Sequence, residues 1–403
     1  MAVYKIFPTQ DTTLYSAYPT MNTGLDAILE VSNKLGTSGT PEIVRYLIQF
    51  DQEEILDIYS NKIGANQYDI YLKNFIAEAQ GANQNIILEI LPIAQQWNNG
   101  TGYYLDNPIQ TNGASWIYSK YSGSGIWSMT GSYSGSSGTY LYTGSYNSSY
   151  STLGGGNWFY DPNGGFYVVV GYVSPGYIAT FYPSSSVNLI FYPKSIKDLE
   201  ANVNNIVEGW IGESIPNYGF IVKLTGSLEF NNNKNNQPIF KYYSVDTNTI
   251  YPPCLEFRWR DYSTILTGSA TSSIVNTVDL KMSLSENPEV FYPESINRFY
   301  INVSPLYPPR VYQTSSLFTN LYYLPTSSYY AIKDLDTNEY VVNFDDNYTQ
   351  ISSDTNGNYF DVYMSGLEPE RYYSILIKTN INGSTKIFDD NYYFKVVNGW
   401  AKI

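Results

Sequence analysis

Short, largely apolar runs recur along the whole chain, each bounded by Gly, Pro or Asn. Residues 43–50, 69–79, 85–91, 165–170, 188–192 and 218–224 are of this kind, and all are rich in β-branched and aromatic residues. That enrichment between turn residues predicts β-strands, and their spacing predicts an all-β sandwich. Two segments carry a different pattern. Residues 53–63 and 197–210 read as short helices; in the second, Leu199, Val203, Ile206, Val207 and Trp210 recur at helical spacing.

From about residue 263 the pattern changes. Residues 261–273 read as an exit from a first domain, and 303–310, with three prolines, as the approach to another. Beyond them 329–336, 339–344, 359–364, 373–378 and 392–397 predict strands at the spacing of a small sandwich. The expected organisation is one sandwich over 1–262, a linker over 263–292 and an immunoglobulin-like sandwich over 293–403. At roughly 150 residues per domain, 403 residues leave room for both.

Composition changes the picture locally. From Tyr118 to Gly156 the chain turns to Ser, Gly, Tyr and Thr with few aliphatic residues, which predicts a long surface excursion with no core of its own. The mixture has the chemistry of a paratope: Tyr supplies rigid amphipathic contact area, and Ser and Gly supply adaptable hydrogen bonding. Tyr133, Tyr140, Tyr142, Tyr146 and Trp127 are therefore candidate contact residues. Trp116, Trp127 and Trp158 are candidates for stacking on sugar rings.

The absence of histidine excludes Ser-His-Asp and Cys-His catalysis and His-ligated zinc or iron. The single cysteine, Cys254, sits in a strand-like alternation and reads as an inert core thiol. A formal charge of -14, with basic residues scattered, argues against nucleic acid as a partner. The best apolar run, 166–173, is far short of the ~20 residues that span a bilayer, and the N-terminus lacks a signal-peptide pattern. A soluble protein without a membrane partner is the expectation.

No phosphate-binding loop, nucleophile elbow, Cys pair or zinc-protease motif occurs. Asp334, Asp336 and Asn338 stand at calcium-loop spacing, but Glu339 replaces the required Gly, so a hairpin turn is the expected structure. The pairs Asp345-Asp346 and Asp389-Asp390 read as loop ends and not as a glycosidase dyad. No cofactor and no enzymatic activity are expected.

Seven pieces in order give the first ~262 residues a resemblance to the DNRLRE family of β-sandwich modules. They are Asp11-Thr-Thr-Leu14, Pro19-Thr-Met-Asn-Thr-Gly24, Arg45-Tyr-Leu-Ile-Gln-Phe-Asp51, the Trp97 segment running to Asn107-Pro108, the Val203, Val207 and Trp210 set, Asn217-Tyr-Gly219 and Pro253-Cys-Leu255. Independently of the name, Asn22 and Gly24 read as tight-turn residues with positive φ, Arg45 and Asp51 as partners across the sheet, and Trp210 as core filling. Leu367-Glu-Pro-Glu-Arg-Tyr-Tyr373 resembles a fibronectin type III segment, and implies that the Tyr373 hydroxyl bonds back to the preceding loop. The resemblance implies a jelly-roll-like first sandwich. It also implies a structural protein of a tailed-phage virion (capsid, neck or tail), assembled in the host cytoplasm and contacting other virion proteins and copies of itself. The alternative is a carbohydrate-binding adhesin that recognises a surface glycan. A glycoside hydrolase is disfavoured by the missing catalytic constellation.

Overall fold

The computed structural model describes residues 2–80, 85–86, 88–121, 123–136, 138–147, 152–160, 168–173, 177–181, 189–190, 198–234, 237–264, 274–286, 288–307 and 321–397. The protein is all-β with β-sandwich character; its α-helices among the described residues are the short Gln52–Asp57, Asn204–Ile211 and Gly226–Glu229. The chain forms two compact units. The larger comprises Ile6–Lys62 and Ile70–Glu256, and the smaller comprises Met1–Lys5, Ile63–Asp69 and Phe257–Ile403.

The larger unit is organised on a nine-stranded sheet whose middle is Pro41–Gln49. Gln10–Tyr15, Ile28–Leu35 and Phe220–Leu224 all pair antiparallel with that strand. Both of its faces are buried, so its apolar run is nearly continuous. Ile43 and Leu47 face a core that holds Trp97, Trp116 and Trp127. On the other side Tyr46 packs against Tyr242 at 5.8 Å between centroids. The helix Asn204–Ile211 buries Ile206, Val207 and Trp210, and Trp210 meets Phe220 at 4.6 Å. The expected helix start differs: Leu199–Asn202 is a strand paired with Tyr68–Asn74, because Asn202 and Val203 end the extended run before the helical one begins. The segment 53–63 is helical as its period predicts, first as Gln52–Asp57 and then as a π-helical turn, Ile58–Ile63. Cys254 is buried and forms no disulfide.

Two pairings read from the sequence are replaced by others. Asp51 does not meet Arg45; it caps Gln52–Asp57, accepting from the Glu54 N–H at 2.8 Å. Asn22 and Gly24 do not have positive φ. Gly24 is needed for space, since a Cβ there would run into the Asn99 carbonyl. Asn22 is a buried clamp: its Nδ2 donates to the Asn99 carbonyl at 2.6 Å and the Ala114 carbonyl at 2.9 Å, and its Oδ1 accepts from the Gly102 N–H at 2.9 Å.

In the smaller unit a four-stranded sheet contains Leu280–Leu284, Ile296–Pro305, Gly357–Tyr363 and Ser352–Asp354. A six-stranded sheet contains Val290–Phe291, Tyr393–Val396, Tyr372–Ile381, Ser328–Asp334, Tyr340–Val342 and Ser384–Phe388. Phe299 and Phe360 from the first and Tyr330, Tyr373 and Phe394 from the second fill one core. Part of the span 263–292, expected as a linker, is in this sandwich: Leu280 and Met282 lie on one strand, Phe291 on another, and all three enter the core. Alternating Leu280-Lys-Met-Ser-Leu284 was the signal for it.

Tyr373 is buried, and its hydroxyl donates to the Glu368 carbonyl at 2.9 Å, the bond expected of it. Tyr373→Phe is predicted to lower the urea midpoint of the smaller unit by an amount equivalent to about 1 kcal/mol, the worth of one neutral hydrogen bond whose acceptor is left unpaired. An unchanged midpoint would show that the hydroxyl contributes nothing.

Candidate functional site

The Ser/Gly/Tyr segment is not an unstructured excursion. Tyr118–Tyr121 and Ser124–Ile126 pair as a small hairpin, and Thr130–Gly135, Gly138–Asn147 and Thr152–Tyr160 form a three-stranded antiparallel sheet. Aliphatic residues are not required because the backbone ladder pairs the strands and aromatic residues supply the apolar surface. The sheet is tied to the rest of its unit at its first turn and along its third strand. Ser136 N–H donates to the Glu213 carbonyl at 3.1 Å, and Ala94 N–H to the Asn157 carbonyl at 3.2 Å.

The register sorts the candidate tyrosines. Tyr133 stands opposite Tyr140 and Gly131 opposite Tyr142, while Tyr142 stands opposite Phe159. Directly opposed residues share a face, so Tyr133, Tyr140, Tyr142 and Phe159 lie on one side of the sheet. Phe159 is buried beneath the edges of Tyr133 at 6.0 Å and Tyr142 at 6.1 Å. Gly131 has no side chain where the Tyr142 hydroxyl lies. Tyr133 is 37 % exposed, which leaves its ring available as contact area. Tyr146 pairs with Leu153 in the same sheet; its side chain lies outside the described residues.

The tryptophans take the opposite fate. Trp127 is 1 % exposed and Trp116 2 %, so neither offers a ring face to a sugar or a partner, and Trp127 is corrected from contact residue to core residue. Both are large apolar side chains, and burial of that area outweighs any preference set by their polar neighbours. The Trp127 indole N–H is satisfied by the Ser115 carbonyl at 2.9 Å.

Trp158 is half-buried and faces a centre of buried charge. Arg45, fully buried, donates from Nε and Nη2 to the two oxygens of Glu229 at 2.7 and 2.9 Å and from Nη1 to the Gly155 carbonyl at 2.6 Å. Its guanidinium lies over the rings of Trp116 at 5.0 Å and Trp158 at 5.5 Å. Lys223 pairs with Glu89 and stands 5.1 Å from the Trp158 ring and 4.0 Å from Glu229. Gly155 permits this approach: its φ is +78°, and a Cβ would meet the Trp116 ring at 2.6 Å and Arg45 Nη1 at 2.9 Å. Each charge here has a partner, and together they join the strand of Arg45 to the helix of Glu229 and to Gly155.

Other chemistry is equally occupied. The Asp334 carboxylate accepts from Arg371 at 2.5 and 2.7 Å and from the N–H groups of Asp336 and Thr337, which makes it the hairpin turn expected. Asp345 and Asp389 each accept from the backbone two residues on, as loop ends do. Among the described residues no group of three or more Asp, Glu, His or Cys could hold a metal ion, and no helix is long and apolar enough to cross a membrane. Asp11 is unusual: burial, its near neighbours Asp246 and Asp26 adding to it, pushes its carboxyl up to about 8 against the pull of the Val245 N–H.

A second exposed aromatic surface escaped the sequence reading. Tyr103, Tyr104, Leu105 and Ile109 are all exposed on one loop. Its signal was the run Tyr-Tyr-Leu between Gly102 and Pro108, where an alternating strand would have buried every second residue.

No protein family, curated protein or solved structure matches the chain.

Proposed function

We propose that the chain is a non-enzymatic structural protein of a tailed-phage virion, in which both sandwiches work through protein–protein interfaces. On this reading it assembles in the host cytoplasm and resides in the capsid, neck or tail. The larger unit is read as a jelly-roll-like DNRLRE sandwich, which its seven sequence pieces support. The smaller is read as immunoglobulin- or fibronectin type III-like, which the Tyr373 bond to Glu368 supports.

The observation that carries the interface reading is the single aromatic face formed by Tyr133, Tyr140 and Tyr142 on a sheet pinned to the body. Rigid tyrosines with hydroxyls at their tips bury large areas while keeping hydrogen bonds, the composition favoured at interface cores. Glycan stacking on tryptophan is the weaker reading, because Trp116 and Trp127 are buried and Trp158 faces Arg45 and Lys223.

Purified particles analysed by mass spectrometry should contain the chain. Replacing Tyr133, Tyr140, Tyr142 and Tyr146 by Ser should leave the melting temperature of the monomer within a few degrees and reduce its incorporation about tenfold or more, the effect of losing one or two interface anchors. Normal incorporation of a folded variant would remove the assigned face, and loss of binding on a glycan array would favour the adhesin.

A further inference from the structure

The loop 103–109 is presented rather than merely exposed. Its base is held by one buried residue: Asn22 accepts from the Gly102 N–H at 2.9 Å and donates its own N–H to the Gln110 carbonyl at 3.0 Å. Tyr104 packs on Tyr15 at 4.9 Å and on Tyr18 at 6.1 Å. Leu105 is held at φ +55°, a conformation rare for a bulky side chain, with its N–H directed at the Met21 sulfur at 3.4 Å. The surroundings are acidic. Asp26 accepts from the Tyr104 N–H at 3.2 Å, Asp106 lies on the loop itself, and Glu30 and Glu42 both act on the Tyr104 hydroxyl. Lys34 pairs with Glu30 at 2.6 Å.

The outer face of the six-stranded sheet in the smaller unit has the complementary character. Tyr330, Ile332, Tyr373, Ile375, Phe394 and Val396 alternate into the core. Their strand neighbours lie on the other side; Ala331, Ser374 and Leu376 there are buried, and the charged residues among these neighbours are all lysines: Lys333, Lys378 and Lys395. Each lies against an aromatic ring, Lys333 on Tyr340 at 5.8 Å, Lys378 on Tyr329 at 4.9 Å and Lys395 on Tyr372 at 5.7 Å. Tyr340, Tyr372 and Tyr393 are each more than 40 % exposed. The acids that pair with these lysines, Glu370 and Asp346, are themselves exposed rim groups, which incoming carboxylates can replace.

We propose that the acidic aromatic loop 103–109 of one copy docks on the lysine–tyrosine face of a second copy, giving a head-to-tail contact. The inference rests on the assembly reading above and deepens it by naming the partner as the chain itself. Like patches repel, acid on acid and lysine on lysine, so a symmetric contact through either one is opposed. A contact between two different patches leaves one of each free and propagates to a ring or filament. One short loop falls below the ~800 Å² per partner of a stable complex, so a single contact is weak and gains strength from repetition.

The test uses the full chain in sedimentation velocity over a concentration series, at about 0.05 M and about 0.5 M salt. The weight-average mass should rise above 45.7 kDa with concentration at low salt and return toward it at high salt. Tyr103→Ser with Asp106→Asn destroys the loop side, and Lys378→Glu with Lys395→Glu destroys the face side; each protein alone should associate about tenfold or more weakly while melting normally. Mixed, the two should form a 1:1 pair that grows no further, because one loop and one face remain intact between them. A wild type monomeric at every concentration in both salts would overturn the proposal, as would variants that associate like the wild type or a mixture that does not pair. Loss of binding to a neutral oligosaccharide in the loop variant, with the mass series flat, would assign the loop to glycan instead. Detection of the chain in particles despite a flat mass series would sink this contact and leave the virion reading standing.

Discussion

Arg45→Met is expected to destabilise the larger unit by about 3–5 kcal/mol, the cost of leaving a buried charge without its partner. The carboxylate left behind is Glu229, whose side chain is 2 % exposed and therefore has no access to water in exchange. Lys223 does not replace the guanidinium: it stands 4.0 Å away and is already held by Glu89. The Gly155 carbonyl loses its donor as well, and the rings of Trp116 and Trp158 lose the cation that lies over them. For a unit of this size the melting temperature should fall by about 10 °C. Arg45→Lys should recover only part of this, because an ammonium cannot form the planar fork to Glu229 and reach Gly155 together. The double change Arg45→Met and Glu229→Leu should recover most of it, since no orphan charge remains. A single Arg45→Met variant that melts with the wild type would show that the pair contributes nothing.

The partner of Arg45 also marks the limit of what the sequence disclosed. The strand itself was plain from Ile43-Val-Arg-Tyr-Leu-Ile-Gln-Phe50, because strand periodicity is local. Which carboxylate meets the arginine is not local: Glu229 is 184 residues away on a helix of four residues, whereas Asp51, at the end of the same strand, went to a helix cap. The same holds for Asn22, which reads as a turn residue and serves instead to join the 99–102 and 114 backbones. Tyr373 succeeded because its bond spans five residues and lies within one motif.

The aromatic residues show why a surface is harder to read than a strand. In the 118–156 segment Trp127 went inside and Tyr133 outside although both sit among Ser and Gly. Trp127 lies between two strands with its indole N–H on the Ser115 carbonyl, whereas Tyr133 is placed by its register opposite Tyr140, and no alternation in a Ser/Gly/Tyr stretch specifies either. Tyr103 and Tyr104 were missed for the converse reason. Nothing in two adjacent tyrosines says that Asn22, eighty residues from Gly102, will clamp their loop at its base and leave both rings exposed.

Stability of the larger unit is predicted to fall as the pH rises from about 4 to about 8, and Asp11→Asn is predicted to remove much of that fall. Asp11 is 1 % exposed, and the hydrogen bond it accepts from the Val245 N–H at 2.7 Å does not offset the loss of water around an ionised carboxylate. Its folded-state value of about 8 stands far above the ordinary 3.8, with burial as the main cause. Below pH 3.8 folded and unfolded chains both hold the proton and the group is neutral to stability. Between that value and about 8 only the folded chain holds it, so unfolding releases a proton and rising pH favours the unfolded state, by at most about 1.4 kcal/mol per pH unit. Above about 8 both have lost it and the slope ends. Asp26 and Asp246 are raised by burial too and act in the same direction, so the Asn variant should keep a weaker slope. Asparagine keeps an acceptor for Val245 and carries no charge, so urea unfolding at pH 5 and pH 8 should show the variant gaining on the wild type at the higher pH. An Asp11→Asn protein that is weaker than the wild type by the same amount at both would mean that the carboxyl is already ionised in the folded chain.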